Sequence, residues 1–521
     1  MANRFKIFVG NLDPRRRSPD FHRSLRNAAY SSADYLLLPI LWFITTPIFV
    51  SQLGVEKYGI WMLVNSLLGF SGVMAFGLSD ATIKYVSKYR ALGDQAGVVR
   101  VVRSTLTMYG VLSVLAGTIA FLGAPILVLH VFNVEEGNRT LAITALQIGA
   151  LGIIARFLDS VFQSAMYGYE RYDLAARVTM VTNAITMVIN VILVLSGYGL
   201  TAILSTIVIL LGLSGLCKAF ILKRMLIPSL SLKPTWDRYA LKEIFSFGLY
   251  SWLQGIGGML LHQADRLLIA SLMGTSALTY YVVCLQLAQQ IHVVLSRATS
   301  FLFPMSSAIK ETGDLVRLRR IYFEGLNLTT VAAVAVGLPL FIFSHNILSL
   351  WMGSAFADEA ANVLRILIFV FTLLATSIVP YYYLNGTGFV RLNTLFVIIS
   401  GTVVTIAALF LIPWLGVLGA AWPRLANTPT SIIARTIVHY KVLLDRRWYA
   451  GLTIVMPVFA AFVVGMGILR LFGETSLDRI YSVFIQCAFI CIGIILAAII
   501  CYVFNYPRAM LSSSVFKPPK S

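Results

Sequence analysis

A few charged side chains inside long apolar segments are the residues of this chain whose types and positions could do chemistry. They are Arg156 and Asp159 in one apolar run, Asp265 and Arg266 in another, and Arg424 in a third. A charged group is costly within hydrocarbon, so such residues are functional candidates by default. An arginine there could bind an anionic group through planar, charge-assisted hydrogen bonds. An acidic residue there could hold a coupling proton or cation.

Structural roles are also open for these residues. Arg156 and Asp159 are three residues apart and could neutralise each other on one helix. Asp265 and Arg266 are adjacent and point in different directions, so they cannot pair on one helix face. One of these two side chains is therefore expected to meet another helix.

Arg424, Arg297 and His262 complete the set of candidates, and each has two interpretations. Arg424 follows Pro423, so a contact at a kinked helix explains this arginine as well as ligand binding does. Arg297 lies nearer the end of its apolar run, where snorkelling to the interface is the default explanation. His262 lies three residues before Asp265, and the two could form a proton or cation site or a structural hydrogen bond.

The composition indicates a protein that spans a membrane many times. Hydrophobic residues make up 58% of the 521 residues, charged residues make up 12%, and the mean hydropathy is +0.82. About a quarter of the residues in an ordinary soluble protein are charged. The apolar runs are mostly about 20 residues or longer, which is the length that an α-helix needs to cross a membrane. We predict an all-α integral membrane protein with about fourteen transmembrane helices.

The predicted spans divide the chain into basic and acidic loops. The spans are roughly 33–50, 59–80, 104–129, 141–165, 174–196, 200–222, 244–273, 276–303, 326–350, 363–384, 394–413, 417–437, 452–471 and 483–504. Basic residues such as Lys84, Lys88 and Arg317 follow even-numbered spans, whereas the loop with Glu135 and Glu136 follows an odd-numbered one. Because cytoplasmic loops are rich in Lys and Arg, both termini are expected in the cytoplasm. The net charge of +19 is therefore mostly a matter of topology and does not indicate nucleic-acid binding.

The chain contains an internal duplication. Gly54 and Gly274 each follow a long apolar run and are 220 residues apart, and Gly93 and Gly313 precede basic residues at the same separation. Each half holds six predicted spans, so both halves have the same orientation. The implied symmetry axis then lies along the membrane normal, with a site expected between the halves near the midplane.

The domain boundaries follow from this duplication. They are a basic cytoplasmic tail at 1–28, an N-lobe of helices 1 to 6 at 29–223, a cytoplasmic linker at 224–243, a C-lobe of helices 7 to 12 at 244–443, helices 13 and 14 at 444–506, and a cytoplasmic tail at 507–521. The basic tail is too long and too interrupted before the first apolar run to be a cleavable signal peptide.

Several short motifs resemble those of bacterial oligosaccharide-lipid flippases, whose superfamily also contains multidrug and toxin extruders. The motifs are Gln52-Leu53-Gly54, Tyr58-Gly59, Gly77-Leu78, Leu92-Gly93-Asp94, Asp265-Arg266-Leu267-Leu268-Ile269, Met273-Gly274, Phe303-Pro304 and Thr312-Gly313-Asp314. The resemblance covers about residues 25–504. It implies two six-helix lobes in a V around a central lumen, with two extra C-terminal helices. It also implies movement of a polyprenyl-diphosphate-linked oligosaccharide across the bacterial cytoplasmic (inner) membrane, during assembly of surface polysaccharide.

The resemblance suggests roles for the intramembrane charges. Contact with the substrate diphosphate is expected from arginines, namely Arg266, Arg156, Arg424 and, more weakly, Arg297. The candidates for a coupling ion are Asp265, His262 and Asp159. The expected partners are the lipid-linked oligosaccharide and membrane lipid, and polysaccharide polymerase and chain-length proteins are further candidates. No cofactor, metal or nucleic acid is expected.

Two other classes of function make different demands on the sequence. A drug or cation antiporter of the same superfamily predicts that acidic residues dominate the lumen, whereas here the intramembrane arginines at least match the acids. A polysaccharide polymerase or ligase predicts a large extracytoplasmic loop with catalytic residues, and the predicted loops are short. The sequence has no GxxxxGK[ST] or HExxH motif, so we predict a transporter rather than an enzyme.

Overall fold

The structure is a computed structural model. It describes residues 39–74, 77–229, 255–444, 455–472 and 480–505, together with single residues 233, 235, 237 and 252. The predicted tails at 1–28 and 507–521 lie outside the described residues, as does most of the predicted linker at 224–243. All regular secondary structure in the described residues is helical.

The described helices follow one another with short connections. In the first half they are α1 (Pro39–Leu53), α2 (Val55–Met74), α3 (Leu78–Ala91), α4 (Gln95–Ile126), α5 (Arg139–Gly168), α6 (Tyr172–Leu195) and α7 (Leu200–Ile221). Helices α4 and α7 continue into π-helical turns at Leu127–Val131 and Leu222–Leu226.

A helical segment at 255–262 precedes the helices of the second half. These are α8 (Ala264–Leu272), α9 (Thr275–Thr299), α10 (Leu302–Thr312), α11 (Leu315–Ile342), α12 (Ser344–Met352), α13 (Ser354–Ala375), α14 (Ile378–Gly386), α15 (Val390–Leu415), α16 (Leu418–Ala421), α17 (Asn427–Ile437), α18 (Met456–Phe472) and α19 (Ile480–Asn505).

The helices confirm an all-helical membrane protein. Within the described residues, eight helical segments are long and apolar enough to cross a membrane, and three shorter apolar helices accompany them. Large apolar side chains are exposed, including Trp414 at 88% and Leu350 at 77%. An apolar surface of this kind suits contact with lipid. The total of fourteen spans stays a prediction.

Two segments predicted as continuous spans are interrupted. The predicted span 244–273 breaks at Gln263, which separates the segment 255–262 from α8. The predicted span 417–437 contains a 3₁₀ turn at Trp422–Ala426 between α16 and α17. Pro423 lies in this turn and cannot donate the backbone hydrogen bond that a continuous α-helix needs.

The local geometry repeats between the two halves. Gly54 and Gly274 both have positive φ, at 84° and 94°, and Gly93 and Gly313 both have φ of 71°. These are left-handed backbone conformations that glycine adopts without the penalty of a Cβ. Helices α2 and α9 begin directly after the first pair. The glycine pairs found in the sequence therefore mark matching helix starts.

The chain forms two compact units. The first unit contains the described residues up to 45, those at 74–121, and those at 147–251. Within it, two described linker residues, Lys233 and Thr235, contact α4. The Thr235 N–H donates to Thr107 Oγ1 at 2.9 Å, and Arg103 Nε donates to the Lys233 carbonyl at 3.0 Å. These bonds fix part of the linker to the first unit.

The second unit contains residues 46–73, 122–146 and the described chain from 252 onward. One part of its core is aromatic. Tyr322 packs edge-on against Tyr383, with ring centroids 4.9 Å apart, and against His439, with centroids 5.5 Å apart. All three side chains are buried. This cluster joins α11, α14 and the π-helical turn at Val438–Val442.

The starts of α2 and α9 meet within the second unit. The Thr279 hydroxyl donates to the Val55 carbonyl at 2.6 Å. A Cβ on Gly59 would overlap the Thr275 carbonyl and lie 2.9 Å from Thr279 Oγ1. Gly59 is therefore required for this approach of the two helices.

Glu56 extends this contact to the connection before α5. Its carboxylate accepts the Glu135 N–H at 3.1 Å and the Asn138 side-chain amide at 2.9 Å. Hydrogen bonding with Glu56, and then charge repulsion from it, raise the pKa of Glu135. Glu135 thus binds a proton more readily while the two carboxylates are close. We call the contacts of Glu56 and Gly59 the α2–α9 latch.

Gly59→Ala tests the tight approach in the latch. The added methyl would force α2 away from Thr275, and overpacking of this kind costs about 1–3 kcal/mol. The matched control is Gly110→Ala in α4, where a Cβ meets no other atom within 4 Å. We expect Gly59→Ala to lower the thermal unfolding midpoint of the detergent-purified protein and Gly110→Ala to leave it unchanged or raised. Equal midpoints for both variants would contradict the packing described.

Candidate functional site

A buried ion pair joins the two interrupted helices of the second unit. Arg424 Nη2 lies 2.5 Å from Asp265 Oδ2, and both side chains are almost fully buried. Tyr281 donates its hydroxyl proton to the same carboxylate oxygen and accepts a hydrogen bond of 3.0 Å from Arg424 Nε. The Asp265 Oδ1 atom accepts the Arg266 N–H at 2.9 Å. Both carboxylate oxygens are therefore hydrogen-bonded.

The helix interruptions place these charged residues. Asp265 lies in the first turn of α8, directly after the break at Gln263. Arg424 lies in the 3₁₀ turn that contains Pro423. The positive end of a helix dipole favours an acidic residue in the first turn, which suits the carboxylate of Asp265. Broken helices are also where transporters commonly build their binding sites.

Arg266 differs from its neighbour Arg424 in having no partner for its guanidinium. Among the residues that the structure describes, this guanidinium makes no hydrogen bond and no close ion pair, and its Nε atom is buried. The side chain as a whole is half-buried. Asp265 is engaged by Arg424 and Tyr281 and forms no close ion pair with the guanidinium of Arg266.

The first unit has its own buried ion pair. Lys218 Nζ lies 2.8 Å from Asp159 Oδ2, and the Ser214 hydroxyl donates to Asp159 Oδ1 at 2.9 Å. The pairing of Arg156 with Asp159, which the sequence allowed, does not form. Arg156 is exposed on α5, and in the described part of the chain its guanidinium has no hydrogen-bond or ion-pair partner. The coupling-ion role predicted for Asp159 stays a prediction.

His262 and Arg297 are not members of the ion pair of the second unit. His262 is exposed and makes no hydrogen bond to Asp265 in the structure, because the break at Gln263 falls between the two residues. Arg297 is exposed in the last turn of α9. Their predicted roles in ion coupling and substrate binding stay predictions.

A cavity of about 320 Å³ lies beside Arg424 within the second unit. His262 from the segment 255–262 and His292 from α9 both line it. Within the described residues, no group of three or more His, Cys, Asp or Glu side chains could hold a metal ion. The described lining of this cavity offers several polar side chains and does not include Arg266.

The structure uses three residues that the sequence analysis did not select. Lys218 forms the buried pair with Asp159. It lies near the end of a predicted span, and this position inside an apolar run is the sequence feature that could have identified it. Tyr281 completes the Asp265–Arg424 pair, but a tyrosine in an apolar run gives no sign of such a role. Tyr381 lines the cavity, although its position favoured an interfacial aromatic residue.

Comparison with known proteins connects this arrangement to a family. The model of a family described as polysaccharide biosynthesis protein matches residues 52–361. A putative O-antigen transporter of Shigella flexneri is 21% identical over 403 residues, which cover 76% of this chain and 93% of that protein.

Solved structures show the same fold. One is an inward-facing multidrug resistance transporter of the MATE family, in the MOP superfamily, with a TM-score of 0.66 and 15% sequence identity. The match covers 81% of this chain and 95% of that transporter. Another is the lipid II flippase MurJ in an inward closed conformation, with a TM-score of 0.65 and 14% sequence identity. The match covers 93% of this chain and 99% of MurJ.

Single and double variants of the ion pair test its energetics. Asp265→Leu or Arg424→Met alone leaves a buried charge without its partner, which costs about 3–5 kcal/mol. The double variant removes both charges, and replacement of a buried pair by apolar side chains is often nearly neutral. We expect both single variants to lower the thermal unfolding midpoint in detergent and the double variant to recover most of the loss. Single variants that unfold like the wild type would show that the pair is not formed.

Proposed function

Because the chain belongs to the polysaccharide biosynthesis protein family, we propose that it flips polyprenyl-diphosphate-linked oligosaccharide across the cytoplasmic membrane for surface polysaccharide assembly. It does so by alternating access. In this proposal fourteen helices form two six-helix lobes with two extra C-terminal helices, and both termini are cytoplasmic. The unpaired guanidinium of Arg266, next to a carboxylate that is already neutralised, is the observation that carries the proposal.

The substrate has a diphosphate that cannot enter hydrocarbon without compensating charge. Arg266 supplies a cation whose positive charge is not cancelled within the protein, whereas the charge of Arg424 is spent on Asp265. Planar guanidinium groups bind phosphate oxygens in pairs. We therefore assign the principal diphosphate contact to Arg266. Arg424 instead neutralises the carboxylate of Asp265.

Arg156 is the second candidate for the diphosphate. It lies exposed on α5 in the first unit, and the nearby carboxylate of Asp159 is already paired with Lys218. An unpaired arginine within a membrane span is costly unless it meets an anion or water. Arg297 has a weaker case, since its place at the end of α9 suits snorkelling.

The state of the acidic residues disfavours a cation antiporter. A pump for cations needs intramembrane carboxylates that can exchange a proton or an ion for substrate. Among the described residues, Asp265 and Asp159 each form a close pair with a basic residue. Arg156 and Arg266 form no such pair among the described residues, which suits an anionic substrate instead.

Alternating access requires contacts that close one side of the protein and break during transport. The α2–α9 latch is suited to this role because it consists of a few hydrogen bonds and one glycine contact. By the predicted topology it lies on the outer side. Opening would separate Glu56 from Glu135, and the pKa of Glu135 would then fall to its usual range. Low pH therefore favours the closed latch.

Substitution of Arg266 tests the proposed function. In vesicles reconstituted with purified protein, we expect the wild type to move a polyprenyl-diphosphate oligosaccharide and Arg266→Ala to lower the rate at least about tenfold, as for loss of a charge-assisted hydrogen bond. Arg266→Lys should retain part of the rate. The control is Arg320→Ala, an exposed arginine paired with Glu324. Full activity of Arg266→Ala would remove this residue from the site, and an inactive wild type would favour the antiporter.

Loss of the latch carboxylate tests alternating access. Glu56→Ala removes the acceptor for Glu135 and Asn138, so we expect outward opening to become more frequent. A single cysteine placed near the latch should then react faster with a membrane-impermeant thiol reagent added from outside, in a variant lacking the native cysteines. The control is Glu136→Ala, whose carboxylate pairs only with Arg139 at the surface. An unchanged reaction rate in Glu56→Ala would argue against the latch.

A further inference from the structure

The described residues that line the cavity beside Arg424 all belong to the second unit. Its walls come from the segment 255–262 and from α9, α13, α14, α15 and α17. At about 320 Å³ it falls at the lower end of the range of about 300–1,000 Å³ that is typical of small-ligand sites. It is therefore large enough for a small ligand or one part of a larger one.

Four polar side chains that line this cavity have unused hydrogen-bonding capacity. In the described part of the chain, the side chains of His262, Gln289, His292 and Asn427 make no hydrogen bond. Asn427 lines the cavity, and the residue as a whole is 7% exposed. Buried polar groups normally have partners, because an unsatisfied group costs about 1–3 kcal/mol. Amides offer both donors and acceptors, so the matching ligand also carries both.

The electrostatics of the cavity favour an uncharged ligand. Arg424 is the charged side chain of its described lining, and Asp265 neutralises that charge. The guanidinium also lies 5.7 Å from the ring centroid of Phe371. A diphosphate would have to compete with a fully buried carboxylate for this arginine. Hydroxyl and amide groups of a ligand meet no such cost.

Aromatic rings provide an apolar surface next to the polar groups. Phe371, Phe396 and Tyr381 line the cavity, and Tyr381 is 46% exposed. A second cavity of about 530 Å³ shares Tyr381, Asn393 and Val397 with the first. The shared wall connects the cavity beside Arg424 with the region between Phe303 and the start of α15. The two cavities are therefore neighbours that share these lining residues.

From these observations we propose that the cavity beside Arg424 is a binding site for one uncharged sugar residue of the transported glycan. Sugars combine hydroxyl groups, which both donate and accept hydrogen bonds, with apolar C–H faces that pack on aromatic rings. Gln289 and Asn427 are the residues that hydrogen-bond the sugar, and Tyr381 supplies a ring. The proposal rests on the proposed flippase function, and it separates sugar recognition from diphosphate binding at Arg266.

The test compares three lipids that differ only in the head group. They are polyprenyl diphosphate without sugar, with one hexose, and with one N-acetylhexosamine. Binding to the full-length protein in lipid nanodiscs is measured for the wild type, Gln289→Leu and Asn427→Leu. The matched control is Gln290→Leu, since the Gln290 amide donates to the Gln286 carbonyl and does not line the cavity. Thermal unfolding of each variant verifies that it is folded.

We expect the wild type to bind at least one sugar-bearing lipid more tightly than the bare lipid. Gln289→Leu and Asn427→Leu should each reduce this preference about tenfold, as for a lost hydrogen bond, while bare-lipid binding and the Gln290→Leu control stay unchanged.

Other outcomes would overturn the proposal in distinguishable ways. Equal wild-type affinity for all three lipids, or a sugar preference that survives both substitutions, would overturn the sugar site and leave the flippase function intact. Variants that alter only the pH dependence of transport would assign the cavity, with His262 and His292, to proton movement instead. Absence of binding for every lipid would overturn the flippase function and the sugar site together.

Discussion

The need to neutralise charge inside a membrane protein is the constraint on which the structure of both units depends. Asp265 meets Arg424 in the second unit, and Asp159 meets Lys218 in the first. Each pair joins segments that are distant in sequence, and hydroxyl groups satisfy the carboxylates further. Desolvation of a charge is so costly that each of these residues fixes the position of another helix. The pairs thus act as structural joints, and the unpaired arginines stand out against them.

The helix breaks and the buried pair depend on each other. A continuous helix through residue 263 would carry Asp265 on a different face from the one it now presents to Arg424 and Tyr281. The 3₁₀ turn around Pro423 likewise sets the direction of the Arg424 side chain. The interior of a regular helix has no free backbone groups, whereas a break creates new helix ends with some of them. The interruptions therefore bring both charged and polar groups to the region that borders the cavity.

The sequence predicted the helical membrane fold, the family and the matching glycines, because hydropathy and glycine conformation are local properties. It also predicted that Asp265 or Arg266 would meet another helix. It did not identify which residue pairs with which, since Arg424 lies 159 residues from Asp265 and Lys218 lies 59 residues from Asp159. Such partners depend on tertiary packing. The break at Gln263 was also missed, because this residue has no conformational signature comparable to that of Pro423.

The α2–α9 latch brings together positions that the predicted duplication relates to each other. Gly59 and Thr279 are 220 residues apart and occupy equivalent places in the two halves. Gly59 must lack a side chain so that the Thr279 hydroxyl can reach the Val55 carbonyl. Two identical copies of an ancestral half could not have made this contact, since glycine would face glycine or threonine would face threonine. A substitution on one side now requires a compensating change on the other.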